Sequence, residues 1–169
     1  MRRRFEREAK VLSQLRHAGV PHYLATVEEP PGTFNLVMQR MRGDNLRDLA
    51  ARRRLSQLEL RDILIRALEI LDYLHGRSPP VIHRDLKPDN VMIVPDSETP
   101  GGERVKIIDF GIAKMAQGDS DTVSDQIWGK AGYFSPEQAA GSRLDRRSDL
   151  FSLGAVFFEL LSGKKIFYG

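Results

Sequence analysis

The chain has 169 residues, 41% hydrophobic and 29% charged, which suits one globular domain with a real core and excludes a disordered or fibrous chain. It contains no cysteine, which excludes a disulfide framework and thiolate metal sites. Met1-Arg2-Arg3-Arg4 runs into Phe5-Glu6-Arg7-Glu8 with no apolar segment of the secretory kind. The longest strongly apolar run, Leu150 to Leu161, carries Ser152 and Glu159 and is too short to span a bilayer. These absences point to a cytoplasmic protein with no membrane segment. Lys and Arg number 26 against 23 Asp and Glu, a net +3, but residues 1–54 hold twelve against six and leave the remainder at −3. A nucleic-acid partner is set aside, because Arg2–Arg4 and Arg52–Arg54 lie at the ends of helical patterns with no stacking aromatics between them.

Residues 2–17 read as an amphipathic helix, with Phe5, Ala9, Leu12 and Leu15 on one stripe and Glu8 beside it. After Gly19-Val20-Pro21 come two strands, Tyr23–Val27 and Phe34–Met41, joined through a Pro31-Gly32 turn as a hairpin. Gly43-Asp44-Asn45 breaks that pattern, which makes residues 42–45 a connection between two parts of the chain, and a short helix starts at Leu46. Ser56 and Glu59 form a capping box for a long helix whose stripe is Ile63, Leu64, Ala67, Leu68, Leu71 and Leu74 and which ends near Gly76.

From Pro79 the period changes. Val81-Ile82, Val91–Val94 and Val105–Ile108 are short β-branched runs, and the polar segments between them fall at strand ends, where a cleft would open. Gln117–Gln126 reads as a mobile polar loop. Ser135-Pro136-Glu137-Gln138 restarts helix with a serine cap, proline at the first position and glutamine at the third. The last helix, Ser148–Ser162, is apolar nearly all round and is expected at the centre of its lobe.

The chemistry gathers in His83-Arg84-Asp85-Leu86-Lys87-Pro88-Asp89-Asn90 and, nineteen residues after Asn90, in Asp109-Phe110-Gly111. Moving a γ-phosphoryl group needs a base for the incoming hydroxyl, a cation against the phosphate, and hard oxygen ligands for a metal. Asp85 suits the base and Lys87 the cation. Asn90 and Asp109 suit Mg²⁺.

On those two motifs the sequence resembles a serine/threonine protein kinase of the eukaryotic-like, bacterial type. The Asp149…Gly154 spacing at the last helix and the Ser135-Pro136-Glu137 motif resemble further family signatures in the right order. The resemblance implies an α+β, protein-kinase-like two-lobe fold, present in part: a small-lobe remnant over 1–41 and a mostly helical, C-terminally incomplete large lobe over 42–169. It implies ATP and Mg²⁺ as cofactors and a protein Ser or Thr hydroxyl as substrate. By position it assigns Asp85, Lys87 and Asn90 to catalysis and Asn90 and Asp109 to metal. Glu8, Gln39, Met41, Asn45, Lys87, Met92 and Asp109 go to the nucleotide, with Met38 as gatekeeper. For Met38 and Met92, plain core packing is the competing reading. His83 is expected to be structural. Arg84 before Asp85 suggests control by phosphorylation at Thr122 or Ser124.

The departures matter as well. The 169 residues include neither the family's glycine-rich loop nor its strand lysine, the partner expected for Glu8, and Lys130 stands where a threonine is usual. Glu137 lacks its usual arginine partner. The expectation is therefore a fragment truncated at both ends, with weak nucleotide binding and little transfer on its own. The alternatives are a pseudokinase-like scaffold module, which the intact Asp85, Lys87, Asn90 and Asp109 disfavour, and a truncated reading frame.

Overall fold

A computed structural model of the chain describes residues 2–110 and 132–167, apart from the side chains of residues 2–4, 7 and 8. The expectations for Gly111, the 117–126 loop, Thr122, Ser124 and Lys130, and for the side chain of Glu8, lie outside the described residues. Among the described residues, no helix is long and apolar enough to cross a membrane.

Helix α1 spans Arg2–Ser13 and buries Phe5, Ala9 and Leu12, as its periodicity predicts. It stops four residues short of the expected end. Gln14 and Leu15 turn to bonds reaching back three residues, to Val11 and Leu12, and the Arg16 guanidinium donates to the carbonyls of Ser13 at 2.7 Å and Leu15 at 2.8 Å. A cation folded back on the last carbonyls satisfies the orphan acceptors of a helix end. Strands β1 (Tyr23–Glu28) and β2 (Phe34–Met38) pair antiparallel as the expected hairpin. The second strand ends at Met38, so residues 39–41 are irregular and not strand as expected.

The Gly43-Asp44-Asn45 break hides a third strand, β3 (Asp44–Asn45), which pairs antiparallel with β4 (Val91–Pro95), Asp44 opposite Ile93 and Asn45 opposite Met92. Gly43 has a φ of 154°, and a Cβ there would fall on the carbonyl oxygen of Ile93, so only glycine lets the chain come this close to β4. Strand β5 (Glu103–Ile107) completes a three-stranded sheet in the order β3-β4-β5.

Helix α2 runs Leu46–Arg52 and α3 runs Gln57–His75. The Ser56 capping box forms, with Ser56 N–H donating to the Glu59 carboxylate at 2.8 Å and Glu59 N–H donating to Ser56 Oγ at 3.2 Å. The buried stripe of α3 is rotated from the expected one: Leu60, Ile63, Ala67, Ile70, Leu71 and Leu74 are buried, while Leu68 is exposed. Leu64 is half-buried, and the buried face is the one that meets both β5 and the last helix.

Val81-Ile82 is not a strand. The Val81 N–H goes instead to the Leu74 carbonyl at the end of α3, at 3.0 Å. Helix α4 (Pro136–Ala139) keeps the Ser135 cap with proline in its first turn, as predicted. Helix α5 starts two residues earlier than expected, spanning Arg146–Ser162 with Asp145 as N-cap and Gly163 (φ 72°) closing it in the left-handed conformation. It is not buried all round. Leu153, Ala155, Val156 and Phe157 enter the core, but Leu150, Phe158 and Leu161 are exposed.

Candidate active site

Residues 83–90 are the second half of the segment 76–90 that joins α3 to β4, irregular except for a 3₁₀ turn at Pro88–Asn90. What shapes them is a set of side chains from distant segments. The Asp149 carboxylate, 1% exposed in the first turn of α5, accepts the backbone N–H of His83 and of Arg84, each at 2.9 Å, and meets His75 Nε2 at 2.8 Å. Arg84 sits at φ 70°, a left-handed conformation that a non-glycine residue keeps only when its surroundings over-determine it.

His83 is fully buried. Its Nδ1 accepts the Asp85 N–H at 3.3 Å, which makes Nδ1 the bare nitrogen, and Nε2 donates to the Ile108 carbonyl at 2.9 Å. Burial holds the imidazole pKa below its ordinary 6.5, so the ring is neutral. It also packs on the Phe110 ring, 4.9 Å between centroids. Its bonds make it the joint between the two predicted motifs.

Asp85, Lys87 and Asn90 come together. Lys87 Nζ lies 4.0 Å from Asp85 Oδ2, and Asn90 Nδ2 donates to the Asp85 carbonyl at 2.7 Å and to Oδ2 at 3.3 Å. Ile108, next to Asp109, donates its N–H to the Asn90 carbonyl at 2.9 Å, so Asp109 leaves the second motif beside Asn90. Asp109 is exposed and left-handed, with φ 57°. With its amide nitrogen committed to Asp85, Asn90 has Oδ1 to offer a cation; the flipped amide would set two oxygens against each other. One amide oxygen and one carboxylate are hard donors of the kind Mg²⁺ takes when phosphates and water complete its shell, so the residues fit that metal.

The residues expected on the nucleotide side are placed as follows. Asn45 pairs opposite Met92, so these two meet at one point of the sheet. Asn45 also caps α2, its Oδ1 accepting the Asp48 N–H at 2.8 Å, as suits an asparagine immediately before a helix. In β4, Val91 and Ile93 join the main core cluster, while Met92, though buried, does not. Alternation in a strand puts Met92 on the opposite face, away from that core. Gln39 spends its N–H on the His22 carbonyl at 2.7 Å, which leaves its carbonyl as the group it can offer, and Met41 follows two residues on, half-buried.

A polar cluster that sequence reading missed lies beside the loop. Arg47 of α2 makes a two-point contact to Asp89, Nε to Oδ1 at 2.9 Å and Nη2 to Oδ2 at 3.0 Å, and donates to Tyr133 Oη at 3.2 Å. Tyr133 in turn donates to Glu159. Arg47 holds the Asp89 carboxyl below the usual carboxylate range, and burial, followed by Glu159, pushes the Tyr133 phenol up to about 12. One signal was available: Glu159 is a lone carboxylate inside the apolar run 150–161, and such a charge needs a buried partner. Glu137 has Ser148 Oγ as its partner.

The Protein kinase domain model matches residues 1–169, the whole chain. The chain belongs to the protein kinase family. This kinase chain is 37% identical over 165 residues to the serine/threonine-protein kinase pkn3 of Myxococcus xanthus, covering 95% of the chain and 29% of that protein. It is 39% identical over 174 residues to the probable serine/threonine-protein kinase PknB of Corynebacterium glutamicum, covering 99% of the chain and 26% of that protein. It thus spans under a third of these relatives' length. Among solved structures it resembles Rad53 in complex with AMP-PNP, with TM-score 0.71, 28% identity and coverage of 98% of this chain and 39% of that one. It also resembles a double mutant of the Mycobacterium tuberculosis PknI kinase domain, with TM-score 0.68, 26% identity and coverage of 97% and 58%. The fold is therefore α+β and kinase-like.

Proposed function

We propose that the protein containing this chain transfers the γ-phosphoryl group of ATP to Ser or Thr hydroxyls of a protein substrate. The observation that carries the reading is the convergence of Asp85, Lys87 and Asn90, with Lys87 Nζ 4.0 Å from Asp85 Oδ2 and Asn90 tied to the Asp85 carbonyl at 2.7 Å. Asp85 accepts the proton of the substrate hydroxyl as its oxygen bonds to phosphorus and the bond to the leaving ADP breaks. Lys87 holds a phosphate oxygen. Asn90 and Asp109 would hold Mg²⁺, which would supply positive charge to neutralise the phosphates. Gln39 and Met41 offer backbone groups to the adenine, Asn45 lies toward the ribose, Met92 lies beneath the ring, and Glu8 belongs to the same side.

In this reading residues 1–41 are the small-lobe part and 42–169 the large-lobe part, and the protein works in the cytoplasm. Arg84 has a buried Nε with no hydrogen-bond partner among the described residues, a donor that a phosphate could satisfy. A polypeptide of these 169 residues alone is expected to transfer poorly, because the glycine-rich loop and strand lysine are not among them. The test uses the protein expressed from its full reading frame, with Mg-ATP and a Ser/Thr peptide mixture. Asp85→Asn is expected to lower transfer by about 10²–10⁴-fold with nucleotide affinity retained. Transfer by Asp85→Asn at the unmodified rate would contradict the assignment.

A further inference from the structure

The capping box at Ser135 accounts for only half of the Gln138 side chain. Gln138 Oε1 accepts the Ser135 N–H at 3.1 Å, and Ser135 Oγ accepts the Gln138 N–H at 3.3 Å. A glutamate would serve that box as well. An amide, however, still has a nitrogen to spend. Gln138 Nε2 donates to the Arg84 carbonyl at 2.8 Å, across 54 residues of sequence.

That carbonyl belongs to the peptide unit joining Arg84 to Asp85, and its plane sets where the Asp85 side chain begins. Arg84 is the left-handed residue at φ 70°, so its neighbourhood must hold it. Asp149 grips the amide side through His83 and Arg84, both at 2.9 Å, and Gln138 grips the carbonyl side. The two anchors come from different helices, α5 and α4. We propose that Gln138 is a positioning residue for Asp85: its amide caps α4 and fixes the Arg84–Asp85 peptide, so the geometry of the base depends on α4 being docked. The catalytic consequence rests on the reading of Asp85 as the base; the anchoring itself does not.

Gln138→Glu separates the two roles. It keeps the cap oxygen and the side-chain size but turns a carboxylate oxygen toward the Arg84 carbonyl. Amide hydrogen exchange, read as the ratio of variant to unmodified protein at each pH, is the direct measurement. At pH 7.5, exchange at His83 and Arg84 is expected to rise about tenfold, the loss of one amide–carbonyl hydrogen bond, while the Gln138 and Ala139 amides of the cap stay unchanged. Near pH 5 the ratio should move back toward one, because a carboxyl that takes up a proton can donate again. Gln138→Ala, lacking both groups, should speed exchange at both places. Ratios at His83 and Arg84 within about twofold of one in Gln138→Glu would overturn the proposal, since a residue that only caps α4 would behave so. In the transfer assay kcat should fall about tenfold with KM for ATP held, and an unchanged kcat would remove the catalytic consequence. Absence of transfer by the unmodified protein would count against the proposed activity, and the exchange ratios would still decide the role of Gln138.

Discussion

The loop 83–90 and the hairpin β1–β2 are both short, yet they are held in different ways. The loop takes its bonds from residues far along the chain: Asp149 across 65 and 66 residues, Gln138 across 54, and Arg47 across 42. The hairpin is held by its own ladder, by packing on α1, and by the Phe5–Phe34 ring pair at 5.5 Å, and it exposes Leu24, Val27 and Val37. The loop is thus fixed by buried and half-buried polar contacts that form only when segments distant in sequence are folded against it. The hairpin rests on its own ladder and on α1, so it can open without disturbing the 83–90 loop.

The largest effect should come from removing the deepest anchor. Asp149→Ala orphans two buried backbone donors and the His75 contact, and is expected to cost about 3 kcal/mol or more in urea unfolding. Next comes a matched pair of truncations. Leu74→Ala, at a site 0% exposed near the end of α3, should cost about 3 kcal/mol, whereas Leu24→Ala in the hairpin, 60% exposed, should stay within about 0.5 kcal/mol. Equal costs would break the comparison.

A smaller effect is set by pH. His83 has its folded pKa lowered from 6.5 by burial, so below that value the unfolded chain takes up a proton that the folded chain refuses. Stability should be full above about pH 6.5 and fall as pH drops toward the lowered folded value, with a slope of at most about 1.4 kcal/mol per unit for this group. His17 is shifted the same way, by partial burial, and adds to the same slope. Denaturant midpoints between pH 7.5 and 5.5 measure this, and a flat profile would show that His83 is not held neutral.

Much of the fold was legible because single signals sufficed: the Ser56 and Ser135 capping boxes, the Phe5–Leu12 stripe and the Pro31-Gly32 turn each act within a few residues. Asp85, Lys87 and Asn90 were legible as a set because their spacing lies within one loop. What was not legible depends on partners distant in sequence. The β3 strand is two residues long and exists only because Gly43 lets it reach β4. The rotation of the α3 stripe, Leu68 out and Ile70 in, depends on which elements α3 meets. The second bond of Gln138 and the Arg47–Asp89–Tyr133 cluster tie together segments that no local period links.

Native-state hydrogen exchange tests the central contrast most directly. The amides of His83, Arg84 and Asn90 should exchange through large openings, close in free energy and denaturant dependence to those of the α3 amides, while amides of β1 and β2 such as Thr26 and Leu36 should exchange through local opening at lower free energy and with little denaturant dependence. Local opening of the 83–90 loop at an energy equal to or below that of the hairpin would contradict the account.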